Sequence, residues 1–123
     1  MNPGLTKTYL AEGTIAASTI VKAGSAEGAV AQATASTDVI VGVAERINAD
    51  AGERVDVIHT DITDVLLGGT CAYGDWLTAG ASGHAVKAAP AAGVNAQVAG
   101  KALAAGVAGD IIPMLITLTQ IQG

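Results

Sequence analysis

Twice along this chain an apolar run with a central glycine is followed, after a polar stretch, by an Ala-Gly-acid tripeptide and a second apolar run. The first instance is Ile40-Val41-Gly42-Val43-Ala44 with Ala51-Gly52-Glu53-Arg54-Val55, and the second is Val98-Ala99-Gly100-Lys101-Ala102 with Ala108-Gly109-Asp110-Ile111-Ile112. The likeness extends upstream, where Ile20-Val21-Lys22-Ala23-Gly24 with Ala29-Val30 lines up without a gap on Trp76-Leu77-Thr78-Ala79-Gly80 with Ala85-Val86. Two copies of one module are implied, over 18–60 and 74–116. A solenoid needs about three or more repeats, so one small pseudo-symmetric domain is the expectation.

The module reads as strands. In Val39–Asp61, Val39, Val41 and Val43 alternate with Ile40, Gly42 and Ala44, and Val55 and Val57 alternate with Asp56, Ile58 and His59. That is the period of a half-buried strand. The polar run from Arg46 to Glu53 between them holds residues that tolerate turns, so the two strands form a hairpin. Further strands are expected at Ser18–Lys22, Ala29–Ala33 and Ile62–Leu67, the last ending at Gly68-Gly69. Ile111–Ile121 would close the domain, with Pro113 best suited to an edge or a bulge. Alanine favours helix, so Ala88–Ala92 and Lys101–Ala105 are the places where a short helix could form. Pro90, Gly93, Gly100 and Gly106 keep both below a stable length. The fold class expected is mainly β, a small single-domain barrel or sandwich with pseudo-repeated halves and little helix. Trp76 is expected at the seam between the copies.

Half of the 123 residues are hydrophobic, yet there is no Phe, one Trp and two Tyr. A buried methyl contributes about 0.8 kcal/mol, against roughly 1.5–3 for a Leu or Ile side chain. A core of Ala and Val in a chain of this size is therefore thin in energy, and partner surfaces are expected to complete it. The net charge of −5 and six scattered basic residues argue against nucleic acid as a partner. Cys71 is the single cysteine, so no internal disulfide or Cys-based metal site can form, and it is expected to be a small buried apolar residue. Met1-Asn2-Pro3-Gly4 lacks the features of a signal peptide. Ala102–Leu118 is interrupted by Asp110, Pro113 and glycines, unlike a membrane span.

Residues 1–12 precede the first copy and have no visible counterpart before the second. Pro3 and Gly4 discourage regular structure, whereas Leu5, Tyr9 and Leu10 offer apolar anchors among Thr6, Lys7 and Thr8. An extended N-terminal arm over 1–12, able to pair with a partner's sheet edge, followed by a β-rich domain over 13–123, is the expected organisation.

Little in the chain suggests chemistry. His59 and Asp61 share a strand face, and Asp64 and His84 could join them, but zinc sites need three or four ligands and a supporting shell. Asp61 and Asp64 lack the surroundings of an aspartic-protease loop, and no nucleophile elbow, phosphate loop or dinucleotide fingerprint is present. No catalytic, metal or cofactor site is expected.

The residues assembled above resemble the decoration, or cement, proteins of tailed-bacteriophage heads, of the lambda type. The resemblance runs from Ile20 to Ile116 and rests on Val41-Gly42-Val43-Ala44, Ala51-Gly52-Glu53, Val55-Asp56-Val57, Gly68-Gly69, Tyr73-Gly74-Asp75-Trp76-Leu77-Thr78-Ala79, Gly100-Lys101-Ala102-Leu103 and Ala108-Gly109-Asp110. It implies a homotrimer on the outer surface of the expanded capsid, made in the host cytoplasm, with the major capsid protein and further copies of itself as partners. It also implies stabilisation of the virion against internal DNA pressure without catalysis, nucleic acid or membrane. Leu5, Thr6, Thr8, Tyr9 and Leu10 would form the capsid-contact arm. The other assignments in view are a tail or fibre-associated β-module, a designed particle component, or a small hydrolytic or metal-binding domain using His59, Asp61 and Asp64.

Overall fold

A computed structural model describes residues 6–122 except 26, 37, 45–47, 61, 90–91 and 93–94. The strands are β1 (Thr6–Ala11), β2 (Ile20–Ala23), β3 (Ala29–Gln32), β4 (Ile40–Ala44), β5 (Arg54–Ile58), β6 (Ile62–Leu66), β7 (Trp76–Ala79), β8 (Ala85–Lys87), β9 (Asn95–Ala102) and β10 (Ile111–Gln122). The helical element among the described residues is a 3-10 turn at Ala81–Gly83. Strands β1-β3-β2-β4-β5 close into a barrel, and β6-β10-β9-β7-β8 form a second five-stranded sheet. The fold is mainly β, as the sequence implied.

The duplication is carried through register by register. Val21 faces Gly42 across β2 and β4, and Leu77 faces Gly100 across β7 and β9. Val43 pairs with Ile58, and Lys101 with Leu115. Outside the strands, the bridge Ile15 to Ala49 is repeated as Cys71 to Gly106. The glycines that betray the repeat are forced by close approach: a Cβ on Gly42 would strike the Ile58 carbonyl oxygen, and one on Gly100 that of Leu115. Gly52 and Gly109 instead hold the same left-handed turn, at φ 85° and 91°. Each donates its N–H to the strand end opposite, Gly52 to Ala11 O at 2.8 Å and Gly109 to Leu67 O at 2.9 Å.

Two expectations are corrected. Thr6–Ala11 is not an arm extending from the domain. As β1 it pairs antiparallel with β5, Thr6 opposite Ile58 through Leu10 opposite Arg54, and parallel with β3, Leu10 opposite Ala29. One edge of this strand is occupied by β5 from Thr6 to Leu10, and the other by β3 at Leu10 and Ala11. It also has a counterpart, because β6 pairs with β10 in the same register, from Ile62 opposite Leu115 to Leu66 opposite Ile111. The repeat unit is therefore β1–β5 and β6–β10. The second correction is one residue wide: Ala23 pairs with Val30 whereas Ala79 pairs with Ala85, so the turn in the second copy is one residue shorter and Val30 matches Ala85.

Inside the first barrel lie Ala11, Ile15, Val21, Val30, Val55 and Val57. The matching positions in the second are Leu67, Cys71, Leu77, Ala85, Ile112 and Met114, all buried. Bulk is exchanged across contacts. Ala11 bridges Val30, while Leu67 bridges Ala85, so the larger residue changes sides and the pair keeps a similar volume, as close packing requires. A second apolar cluster runs unbroken from the outer face of the first barrel, at Ile20, Val43 and Ile58, into the second copy.

The seam explains why one barrel is closed and the other is not. Leu10 N–H donates to Gly28 O at 2.9 Å and helps to zip β1 to β3. The equivalent Leu66 N–H donates instead across the seam to Ser18 O, also at 2.9 Å, and a single parallel bridge from Leu67 to Ala85 ties the ends of the second sheet. Gln97 N–H adds a second seam bond to Ser36 O at 2.8 Å. Pro113 sits inside β10 between β6 and β9, neither at an edge nor at the bulge, which falls between Ile116 and Thr119. Its carbonyl accepts from Leu103 N–H at 3.0 Å. Nitrogen and carbonyl of a strand residue point the same way, so the missing donor faces the place where β9 leaves the ladder.

Candidate functional site

Of the residues singled out for partner contact, Thr6, Thr8, Tyr9 and Leu10 lie on one strand, β1, with different surroundings. Thr8 Oγ1 donates to Asp56 Oδ1 at 2.6 Å on the exposed face. Tyr9 is half-buried, its hydroxyl 3.0 Å from His59 Nε2 and its ring edge-on to the imidazole at 5.6 Å, with Lys7 Nζ 5.4 Å from the ring centre. His59 Nδ1 lies 2.9 Å from Val41 O. A carbonyl only accepts, so Nδ1 carries a hydrogen. Leu10 projects outward and is 49% exposed. Leu5 lies outside the described residues, and Thr6 is placed here by its backbone pairing to Ile58 alone.

The described candidate acid or metal residues, His59, Asp64 and His84, are not brought together. His59 is engaged with Tyr9 and Val41, Asp64 stands opposite Pro113 on β6, and His84 lies in the turn before β8. Asp61 falls outside the described residues. Among the described residues no three His, Cys, Asp or Glu side chains converge as a metal site requires. Cys71 is buried, with Sγ 3.7 Å from Ala104 O. Burial pushes its thiol up, the Asp75 carboxylate acts in the same direction, and a hydrogen bond from Gly106 opposes them. An open cleft of about 360 Å³ lies along the seam, lined by small residues such as Ala35, Ser36, Ala79 and Ala96, with Lys87 as its charged member.

Asp38 is held by several hydrogen bonds. Its Oδ2 accepts from the Thr34 and Ala35 N–H groups at 2.8 and 3.1 Å, and Oδ1 lies 3.8 Å from Lys22 Nζ. Burial works to raise its pKa, but the two backbone bonds and the lysine outweigh it and hold the carboxyl below the ordinary carboxylate range. A folded value lowered in this way contributes stability above the unfolded pKa and loses it as the pH falls through the folded one. Asp38→Asn should therefore cost about 1–2 kcal/mol at neutral pH, and its urea midpoint should converge on that of the wild type in acid.

A second surface was not evident in the sequence. Register partners point to the same side of a sheet, and Ile62, Leu115, Lys101 and Trp76 form one row across β6, β10, β9 and β7. Ile62, Leu115 and Trp76 are 39%, 39% and 37% exposed, and Lys101 Nζ lies 5.8 Å from the Trp76 ring centre. Trp76 is thus on the outer face of the second copy and not at the seam, where its counterpart Ile20 lies fully buried. The sequence did hold a signal for this row, since the aligned pairs Ile20/Trp76 and Val43/Lys101 contrast an apolar position with an amphipathic one.

Two tandem five-stranded units of matching register, one a closed barrel and the other an open sheet, joined through an apolar seam, define a small all-β module. No protein-family model and no curated protein matches the chain. Among solved structures, it is similar to the N base of the head fiber gp8.5 of bacteriophage phi29, with a TM-score of 0.70 and 19% identity over 97% of this chain and 98% of that one. The two share a fold along their whole length.

Proposed function

We propose that this chain is a structural protein of a phage virion, carried on the head. The observation that supports it most is the end-to-end likeness of its duplicated β fold to the base of a phage head fibre, which agrees with the resemblance of its glycine and valine pattern to head decoration proteins. In the finer form of the reading, the chain binds the outside of the expanded capsid as a homotrimer, with the major capsid protein as partner. Selective binding to the expanded shell would stabilise that state by mass action, and many weakly held copies would add up against internal pressure. No catalysis, cofactor, nucleic acid or membrane enters this role.

Because the similar structure is the base of a fibre, a second reading has support: the module anchors a fibre to the head and does not act as cement. Co-sedimentation of the purified protein with expanded, undecorated heads of the phage that encodes it, and with unexpanded shells, tests both. Saturable binding to expanded heads alone is the expected result. Equal binding to both shells would favour the anchor, and binding to neither would overturn the head reading.

A further inference from the structure

The two barrels of one chain are stacked head to tail. The first contributes the row Ile20, Val43 and Ile58, which is buried at the seam. The second receives it with a different surface, which includes Ala99 in the shared core and the Leu66 and Gln97 amides that donate to Ser18 and Ser36. Since barrels of the same register use unlike faces, each must own a copy of the face it does not use.

Both unused faces carry exposed apolar side chains. The second barrel's equivalent of Ile20, Val43 and Ile58 is Trp76, Lys101 and Leu115, extended along β6 by Ile62. The first barrel's equivalents of Leu66, Gln97 and Ala99 are Leu10, Val39 and Val41; Leu10 is 49% and Val39 66% exposed, while Val41 is half-buried against the first barrel's own core. One polar residue of the receiving face has become apolar, Val39 for Gln97. A heterologous contact that leaves its two complementary faces free is open-ended, and repeating its operator adds copies until a ring closes or a filament grows. One seam bond cannot be reproduced, because Leu10 N–H is committed to Gly28 O, so apolar contact would carry the joint. Lys101 suits a face that must also stand in water, since its half-exposed side chain carries a charge over the Trp76 ring.

The geometry points to a second copy of this chain as the occupant: its first barrel, through Leu10 and Val39, docks on the Trp76, Lys101 and Leu115 row of the preceding copy and repeats the internal seam between chains. This stands on the internal repeat and not on the capsid reading, and the test uses no capsid.

Two double variants are purified, Trp76→Ser with Leu115→Asp on the donor row and Leu10→Asp with Val39→Asp on the receiving face. Circular dichroism and melting establish that each is folded, and the single variants Leu115→Lys and Val39→Asp replace any double variant that is not. Sedimentation velocity is run across a concentration series on wild type, each variant and their equimolar mixture. The expected result is an oligomeric wild type, two monomeric variants, and a mixture that forms a 1:1 dimer and grows no further, since each dimer retains one intact joint and two disabled ends. A monomeric wild type at every concentration would overturn the inference and leave the row to another partner. So would a folded variant that assembles as the wild type does, or two monomeric variants that fail to pair.

Discussion

A chain lacking residues 1–11 is expected to lose its cooperative melting transition. β1 pairs with β5 along five residues and with β3 at its end, so its removal opens the first barrel and leaves two unpaired edges. It also uncovers Val30, Val55 and Val57, each buried beneath it or beside it. At roughly 1.5–3 kcal/mol for each of these side chains, the loss is about 5 kcal/mol or more, comparable with the whole stability of a domain of this size, about 5–15 kcal/mol. Thermal circular dichroism of the truncated chain checks it. A sharp transition near that of the full chain would mean that residues 1–11 are dispensable, as an arm would be.

Gly42→Ala should destabilise by about 3 kcal/mol or more, lowering the melting temperature by roughly 10 °C. The new methyl would meet the Ile58 carbonyl oxygen and Val57 Cγ1. The first of these is backbone held in a ladder, so it cannot move aside as a flexible side chain would. Removing glycine restricts the unfolded chain and returns only about 0.4–1 kcal/mol, too little to offset the clash. Gly100→Ala should behave alike, because its Cβ would meet the Leu115 carbonyl. Gly13→Ala is the control: nothing lies within 4 Å of its Cβ, and the substitution should be neutral or slightly stabilising. Equal melting of Gly42→Ala and Gly13→Ala would show that the strand crossing relaxes.

That contrast also explains how much of the fold was legible. Gly42 and Gly100, and Gly52 and Gly109, sit where backbone geometry admits one residue type, so they stayed alike while the rest diverged and the repeat could be read from them. β1 and β6 have no such position. Thr6-Lys7-Thr8-Tyr9-Leu10-Ala11 and Ile62-Thr63-Asp64-Val65-Leu66-Leu67 share only the leucine at Leu10 and Leu66. Their equivalence lies in which strand each pairs with, which no local pattern records, and so the first strand looked like an arm. Interior bulk hid the repeat further, because Ala11 with Val30 and Leu67 with Ala85 conserve a summed volume and not an identity. The alternation in Val39, Val41 and Val43 suggested one apolar face. A register shift opposite β2 sends Val43 to the seam and packs Val41 on the first barrel's own core. For the candidate site, single residues were visible but the exposed row was not, since its four members come from four strands and meet only through pairing. Cys71 was read as buried, and it is.

The strand order has a consequence for how the chain is made. In each half the first strand synthesised pairs with the last, β1 with β5 and β6 with β10, so neither sheet can be completed until its whole module has left the ribosome. Loop closure over such a span is slow compared with a local hairpin. The first barrel is complete before the second exists, and throughout that interval Ile20, Val43 and Ile58 face water as an unprotected apolar strip on the nascent chain. Synthesis of the second module is what shields it, and a pause in translation between the two would expose the chain to premature association with its neighbours on the same message.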